Sequence, residues 1–449
     1  MKFSTQNPLK SLHLVSLGCT KNLVDSEIML GKLKDYKISD DATTADVLIV
    51  NTCGFIDSAK EESINTILDL DDQRKKESVL VVAGCLTQRY QEELQKEIPE
   101  VDIFTGVGDY DRIDELVNEK RSAFTNQVFL ASEDNERVIT GSSYHAYVKL
   151  SEGCNQACSF CAIPSFKGKL HSRTLESLVK EVKSLVSKGY IDFSFVSQDS
   201  SSFLRDQGIK DGLEQLVNEV SKIEGIKTAR ILYLYPSTTT LSLIDTIADS
   251  KTFENYFDMP LQHITPSMLK IMKRGKGVDK LNELMDYMKS KPNSFVRTTF
   301  IAGHPGETQE DHDALCEYIE NYKFDRANVF SYSTEEGTTA AKSKDLVPQE
   351  IIDQRADAIG EIIAQTTKES LEKEVGKTFD VYIDGESDEH EFLLSARKTT
   401  WAPDIDGEIY INDNELYDEN NPEQLAFGKI YTVKVTELSG DKLLATVIK

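Results

Sequence analysis

Six of the seven cysteines fall into two sets of three. Cys154, Cys158 and Cys161 stand close together in SEGCNQACSFC with C-x3-C-x2-C spacing. Cys19, Cys53 and Cys85 are far apart, yet each ends an apolar run: HLVSLGC, VLIVNTC and VLVVAGC. A 4Fe–4S cube normally takes four thiolates, so three leave one iron open to bind something that reacts. Two such sites in one chain point to redox chemistry on a substrate rather than to storage or support. Structural zinc is the alternative for the close set. Zinc sites usually show two paired ligands or four in all, and closure here would need a distant fourth ligand.

The elements around the dispersed cysteines read as βα repeats. A strand over 12–17 precedes Cys19, with a helix from about Leu23. A strand over 47–50 runs to Cys53 and leads into DSAKEESINTILDL, where Ala59, Ser63, Ile64, Ile67 and Leu68 keep helical spacing. A third strand, 79–82, runs to Cys85 ahead of another helix. Alternating strands and helices imply a parallel sheet with right-handed crossovers, and such sheets bind ligands beyond the carboxyl ends of their strands. The three distant cysteines are therefore predicted to meet at one sheet edge.

Residues 121–143 are weakly patterned and read as a linker or connecting hairpin. Beyond them the alternation resumes, with strands predicted over 144–150, 192–197, 230–234, 256–261, 295–302 and 326–331. Leu175, Leu178, Val179, Val182, Leu185 and Val186 form one apolar helix face between them, and Leu213, Leu216, Val217, Val220 and Ile223 another. Six units make a partial (β/α)6 barrel, with the close cysteine set after its first strand, on the face where such barrels place their chemistry. A helix over 348–374 leads to short strands from about Lys377, which read as a small all-β barrel. The fold class is thus α/β with three domains, 1–121, 144–374 and 375–449, and a linker over 122–143.

The 449 residues include 51 basic and 76 acidic ones, a formal charge of −25. That is a poor balance for binding nucleic acid through phosphates and suits a basic partner, unless the acidity serves only solubility. The N-terminus shows no signal-peptide pattern and no stretch is long and apolar enough to span a membrane. A cytoplasmic protein keeps its cysteines reduced, so clustered cysteines point to metal rather than disulfides.

C-x3-C-x2-C with Phe160 before the last cysteine resembles the signature of the radical S-adenosylmethionine superfamily. Nearly the whole chain is similar to one of its branches, the methylthiotransferases. The resemblance rests on VSLGCTKNLVDSE, VNTCGFIDSAKEES, GCLTQRY, SEGCNQACSFCAIPSFKGKLHSR, LYLYPS, FDMPLQH, MKRG and RTTFIAGHPGET. It implies a first 4Fe–4S cluster on Cys154, Cys158 and Cys161, a second on Cys19, Cys53 and Cys85, and a C-terminal TRAM barrel. It further implies that S-adenosylmethionine is both radical source and methyl donor. The segment Gly18-Cys19-Thr20-Lys21-Asn22 resembles the branch that acts on an aspartate of ribosomal protein S twelve. The sister branch, which modifies adenosine in tRNA, tends to carry G-C-Q-M-N there. The implied reaction takes hydrogen from the aspartate β-carbon, inserts sulfur from the second cluster and adds methyl. It also requires a reducing electron donor and a sulfur donor.

Further cofactor contacts are expected from Phe160, Gln198, Arg297, Gly303 and Glu307. Phe160 is placed either to approach the adenine with its backbone or to pack. Gln198 and Asp199 follow the second barrel strand, facing the site or forming a solvated turn. Gly303 permits close backbone approach. His304 departs from the family, which usually has Phe there. Gln262 and His263 end the fourth strand, the histidine read as a satisfied structural group. Lys273-Arg274-Gly275-Lys276-Gly277 reads as a solvated turn, Cys316 as a buried small residue, and Trp401 as either an exposed contact or core. From Lys377 to the end there are 7 basic and 16 acidic residues, which fits a basic ribosomal protein better than RNA, so no strong tRNA binding is expected.

Overall fold

The apolar runs that precede the dispersed cysteines become parallel strands of one sheet. In the computed structural model, which describes residues 10–274, 277–387, 389–416 and 425–449, these are β1 Ser11–Ser16, β3 Val47–Thr52 and β4 Val79–Gly84. Two short strands, β2 Lys37–Ile38 and β5 Ile103–Phe104, complete the order β2-β1-β3-β4-β5. They escape sequence reading because two residues carry no periodicity. Every residue of β3 and β4 is buried, as expected where helices cover both faces of a parallel sheet.

The second sheet begins with β6 His145–Lys149. A two-stranded antiparallel ribbon follows, β7 Ser151–Glu152 with β8 His171–Ser172. Then come β9 Asp192–Val196, β10 Thr228–Ile231, β11 Phe253–Asp258, β12 Phe295–Ala302 and β13 Arg326–Ser331. The order β13-β12-β11-β10-β9-β6 makes the expected six-stranded parallel part-barrel. Helix Leu175–Ser187 turns Leu178, Val182 and Leu185 inward, and helix Gly212–Val220 turns Leu213, Leu216, Val217 and Val220 inward. Residues 121–143 are not a loose linker. Phe129 and Ala131 are buried, and Arg137 forms 2.5 Å ion pairs with both Glu27 and Glu181.

Helix Gln349–Glu372 leads into β14 Thr378–Glu386, β15 Leu394–Lys398, β16 Ile409–Asn414, β17 Ile430–Ser439 and β18 Lys442–Val447, a closed barrel. This barrel plugs the end of the larger one where the strands start. Tyr382 stacks on Tyr144 with centroids 5.1 Å apart, and the buried Arg397 pairs with Asp192 at 2.6 Å. Tyr147 donates its hydroxyl to Pro403 O at 2.9 Å. Trp401 belongs to this plug: it is 3 % exposed, 6.4 Å from Phe295 and 5.1 Å from the Arg326 guanidinium. The core alternative for Trp401 therefore holds. No helix among the described residues is long and apolar enough to cross a membrane.

Candidate active site

Cys19, Cys53 and Cys85 follow three adjacent strands, β1, β3 and β4, so sheet pairing alone brings their turns side by side. Gly18 takes φ +86°, and a β-carbon there would lie 2.7 Å from Cys53 Cβ. Only glycine lets these two turns close up. Asn22 then joins all three. Its Nδ2 donates to Leu17 O at 3.2 Å and Thr52 O at 3.1 Å, while Oδ1 accepts from Cys85 Sγ at 3.6 Å.

The close cysteine set sits on an excursion of the β7–β8 ribbon. Cys154 N donates to Gly168 O at 3.1 Å, pinning the loop at its base. Ser159 holds the middle: its N–H donates to Met272 O at 3.0 Å and its carbonyl accepts from Ala340 N at 2.8 Å. His304 reinforces this, with Nε2 3.0 Å from Ser159 Oγ and Nδ1 2.9 Å from Pro305 O. Burial lowers its pKa, so it acts as a neutral clip between the cysteine loop and the end of β12.

Both sets open on one cavity of about 410 Å³, lined by all six cysteines. Burial pushes the thiols of Cys53 and Cys154 up to about 11 and those of Cys85 and Cys161 up to about 12. They are thiols at neutral pH until a metal displaces their protons. Among the described residues, no three His, Cys, Asp or Glu side chains form a group that could hold a metal ion. Thiols spread around a cavity suit a cube, which meets each thiolate at a different iron, better than one tetrahedral zinc. Arg274 Nη1 donates to Cys158 Sγ at 3.4 Å, and the Tyr235 hydroxyl lies 3.6 Å from the same sulfur. Such contacts tune a sulfur ligand.

A buried charge cluster fixes the wall between the two sets. Lys149 Nζ meets Asp25 at 2.5 Å and Glu152 at 2.6 Å, and Lys167 lies 3.5 and 3.4 Å from the same carboxylates. Burial alone would raise the Glu152 pKa, but Lys149 and Lys167 hold it at about 2. Gln198 Nε2 donates to Glu152 Oε1 at 2.9 Å, while its Oε1 has no partner among the described residues. Because Gln198 lines the cavity, it retains an acceptor for a bound group there.

Phe160, Gln198, Arg297 and Gln262 line the cavity, as does Arg274, which was read from sequence as part of a solvated turn. Arg274 is 6 % exposed and packs 4.3 Å over the Tyr235 ring; Gly275 and Lys276 lie outside the described residues. Arg297 pairs with Asp258 at 3.0 Å and Asp406 at 3.4 Å, which hold it protonated against the cost of burial. Gly303 and Glu307 stand behind the wall. A β-carbon on Gly303 would meet the Ile352 side chain at 2.5 Å, and Glu307 is buried 3.4 Å from Arg355. Asp199 is also buried, bonding Gln156 Nε2 at 2.7 Å and Ser202 Oγ at 2.6 Å rather than forming a solvated turn. His263 Nδ1 accepts from Ile264 N and Thr265 N at 2.9 and 3.2 Å, the structural part expected of it. Cys316 is half-buried against the barrel core. Lys21, Lys167, Tyr233 and Tyr235 also line the cavity; no role follows for them from the sequence, since lone lysines and tyrosines give no spacing signal.

Residues 11–106 match Uncharacterized protein family UPF0004, 148–319 the Radical SAM superfamily and 375–448 the TRAM domain. The chain is 81% identical over 449 residues to the ribosomal protein uS12 methylthiotransferase RimO of Aliarcobacter butzleri, covering 100% of both. It is 61% identical over 435 residues to the protein of the same name from Sulfurimonas denitrificans, covering 97% of this chain and 98% of that one. Among solved structures it is similar in fold to the radical S-adenosylmethionine methyltransferase TsrM from Kitasatospora setae with cobalamin and a [4Fe-4S] cluster bound. That likeness has a TM-score of 0.53 at 14% identity and covers 72% of this chain and 76% of the other. The UPF0004, radical SAM and TRAM units in this order, and the two thiol sets they bring to one cavity, therefore belong to a radical S-adenosylmethionine enzyme, and the chain is a member of the RimO family of methylthiotransferases.

Proposed function

We propose that this protein adds a methylthio group to the β-carbon of an aspartate in small-subunit ribosomal protein S twelve. The observation that carries the reading is the single cavity onto which both cysteine sets open. Cys154, Cys158 and Cys161 hold the cluster that engages S-adenosylmethionine, and Cys19, Cys53 and Cys85 hold the second. When bound, the two 4Fe–4S clusters and S-adenosylmethionine supply a hydrogen-abstracting radical, a sulfur and a methyl group.

The chain's own residues position the reactants. Phe160, Gln198 and Arg297 wall the cofactor side of the cavity, and Gly303 and Glu307 brace the end of β12 behind it. The buried Lys149–Asp25–Glu152–Lys167 cluster ties the helix after Cys19 to the strand before Cys154. Domains over 1–121, 144–374 and 375–449 divide the work, and the acidic last domain faces a basic ribosomal protein. The enzyme works in the cytoplasm with a reducing electron donor and a sulfur donor.

Mass spectrometry of ribosomal protein S twelve after anaerobic turnover tests this. A methylthio group on one aspartate is the expected result. An unmodified protein, with both clusters loaded and S-adenosylmethionine cleaved, would overturn it. Salt-sensitive tRNA binding with modification of adenosine would favour the sister activity.

A further inference from the structure

Four cationic side chains line the cavity: Lys21, Lys167, Arg274 and Arg297. Three are committed. Lys167 is paired with Asp25 and Glu152, Arg297 with Asp258, and Arg274 with Cys158 Sγ and the Pro260 carbonyl. Lys21 is different. It is 9 % exposed and forms no ion pair among the described residues. Its Nζ rests 3.6 Å from the centre of the Tyr233 ring. Cation–π attraction offsets only part of the cost of burying an ammonium, and the Asp258 carboxylate, whose charge reaches it, is already paired with Arg297, so Lys21 is left able to pair with a further anion.

The surroundings are built for one. Lys21 lies in the first turn of helix Thr20–Lys32; that turn contains no acidic residue, and the helix N-cap, Cys19, makes no side-chain cap bond. The helix N-terminus therefore adds positive potential at the same place. Tyr233, the ring beneath the ammonium, is held at φ 62°, and Gln262, on the same cavity, at φ 70°. Left-handed backbone at a tyrosine is costly and persists here because Tyr233 N donates to Asp258 Oδ2 at 3.0 Å and Tyr233 O accepts from Ser200 N at 2.9 Å. Backbone strain is thus held where it presents the ring to Lys21.

We propose that Lys21 receives the side-chain carboxylate of the substrate aspartate and makes the enzyme selective for that residue. This rests on the reading of the substrate given above. The β-carbon is bonded directly to the carboxylate carbon, so anchoring the carboxylate fixes the reacting atom between the two thiol sets. An asparagine offers no charge to the ammonium, and a glutamate carries its carboxylate one methylene too far.

The test is binding of peptides spanning the modified loop of ribosomal protein S twelve to the enzyme with both clusters loaded, in S-adenosylmethionine and without reductant. The wild type should bind the aspartate peptide about ten- to hundredfold tighter than its asparagine counterpart, the range for a charge-assisted contact. Lys21→Met, at matched iron content, should lose that preference while binding the asparagine peptide as before, and Lys21→Arg should recover most of it. A Lys21→Met enzyme that still prefers aspartate would overturn the proposal. So would a wild type that binds both peptides equally, a result that needs no variant to fold. A wild type that binds neither peptide would defeat the substrate reading itself, and this assignment with it.

Discussion

Arg89 Nη1 lies 2.5 Å from Glu335 Oε2 across the junction between the N-terminal sheet and the part-barrel, with both side chains almost fully buried. Arg89 ends the short helix that starts at Cys85, and Lys60, on the helix after Cys53, reaches the same carboxylate at 3.2 Å. Glu335 follows β13 and lines the cavity. One carboxylate of the barrel is thereby clamped by the helices behind two cysteines of the other set, which fixes how far apart the two sets stand.

Glu335→Gln should leave Arg89 buried without a counter-charge, while Lys60 keeps Asp57 at 2.6 Å, and weaken domain docking by about 3–5 kcal/mol. A lower urea midpoint and faster proteolysis between the two domains would show it. Product per 5′-deoxyadenosine should fall as well, because the two sets lose their spacing. The double variant Arg89→Met with Glu335→Met should regain much of the stability, since replacing both buried partners removes the unpaired charge.

Asn22→Ala should remove the three links that join the cysteine turns while leaving the barrel untouched. Iron after anaerobic reconstitution is expected to fall from about eight to about four per chain. The paramagnetic signal of the barrel cluster should survive. Equal iron in variant and wild type would contradict the stitching role.

Acid should loosen the plug between the two barrels from about pH 6.5 downwards. His145 is buried beside Ser194, its Nε2 3.0 Å from Ser194 Oγ, and its pKa is lowered from 6.5 to about 3. Burial is the main cause; Asp192 opposes it, and Arg397, Arg230 and Arg137 add to the lowering. The folded state thus keeps the ring neutral while the unfolded chain takes up a proton below 6.5, so stability is complete above that pH and drains away as pH falls towards 3. Trp401, the single tryptophan, sits in this interface and reports it by fluorescence. His145→Gln should move the onset down into the carboxylate range.

Arg274→Gln should shift the potential of the barrel cluster in the negative direction. The guanidinium donates to Cys158 Sγ at 3.4 Å and places a positive charge beside a ligand that becomes a thiolate. Losing a charge-assisted hydrogen bond corresponds to about 60 mV or more for one electron. Potentiometric titration followed by paramagnetic resonance would measure it. An unchanged potential would show that Arg274 only packs against Tyr235.

Much of this architecture was readable in the residues. Apolar runs ending in Cys19, Cys53 and Cys85 dictate parallel strands, and parallel strands align their carboxyl ends, so convergence of the three thiols follows from periodicity and pairing. Strands β12 and β13 coincide with their predicted bounds. The short strands β2 and β5 were beyond reach, as was the packing of 121–143, which depends on Arg137 finding Glu27 and Glu181 more than forty positions away.

Local spacing alone carries the two sets of cysteines, the order of the domains and the end of each sheet at which those cysteines stand. The meeting of distant elements is what puts the two sets on one cavity, Arg274 inside it, Gly303 and Glu307 behind it, and Lys21 facing it with no paired carboxylate among the described residues. A side chain's charge is written in the chain, but whether it is paired is settled by what folds against it.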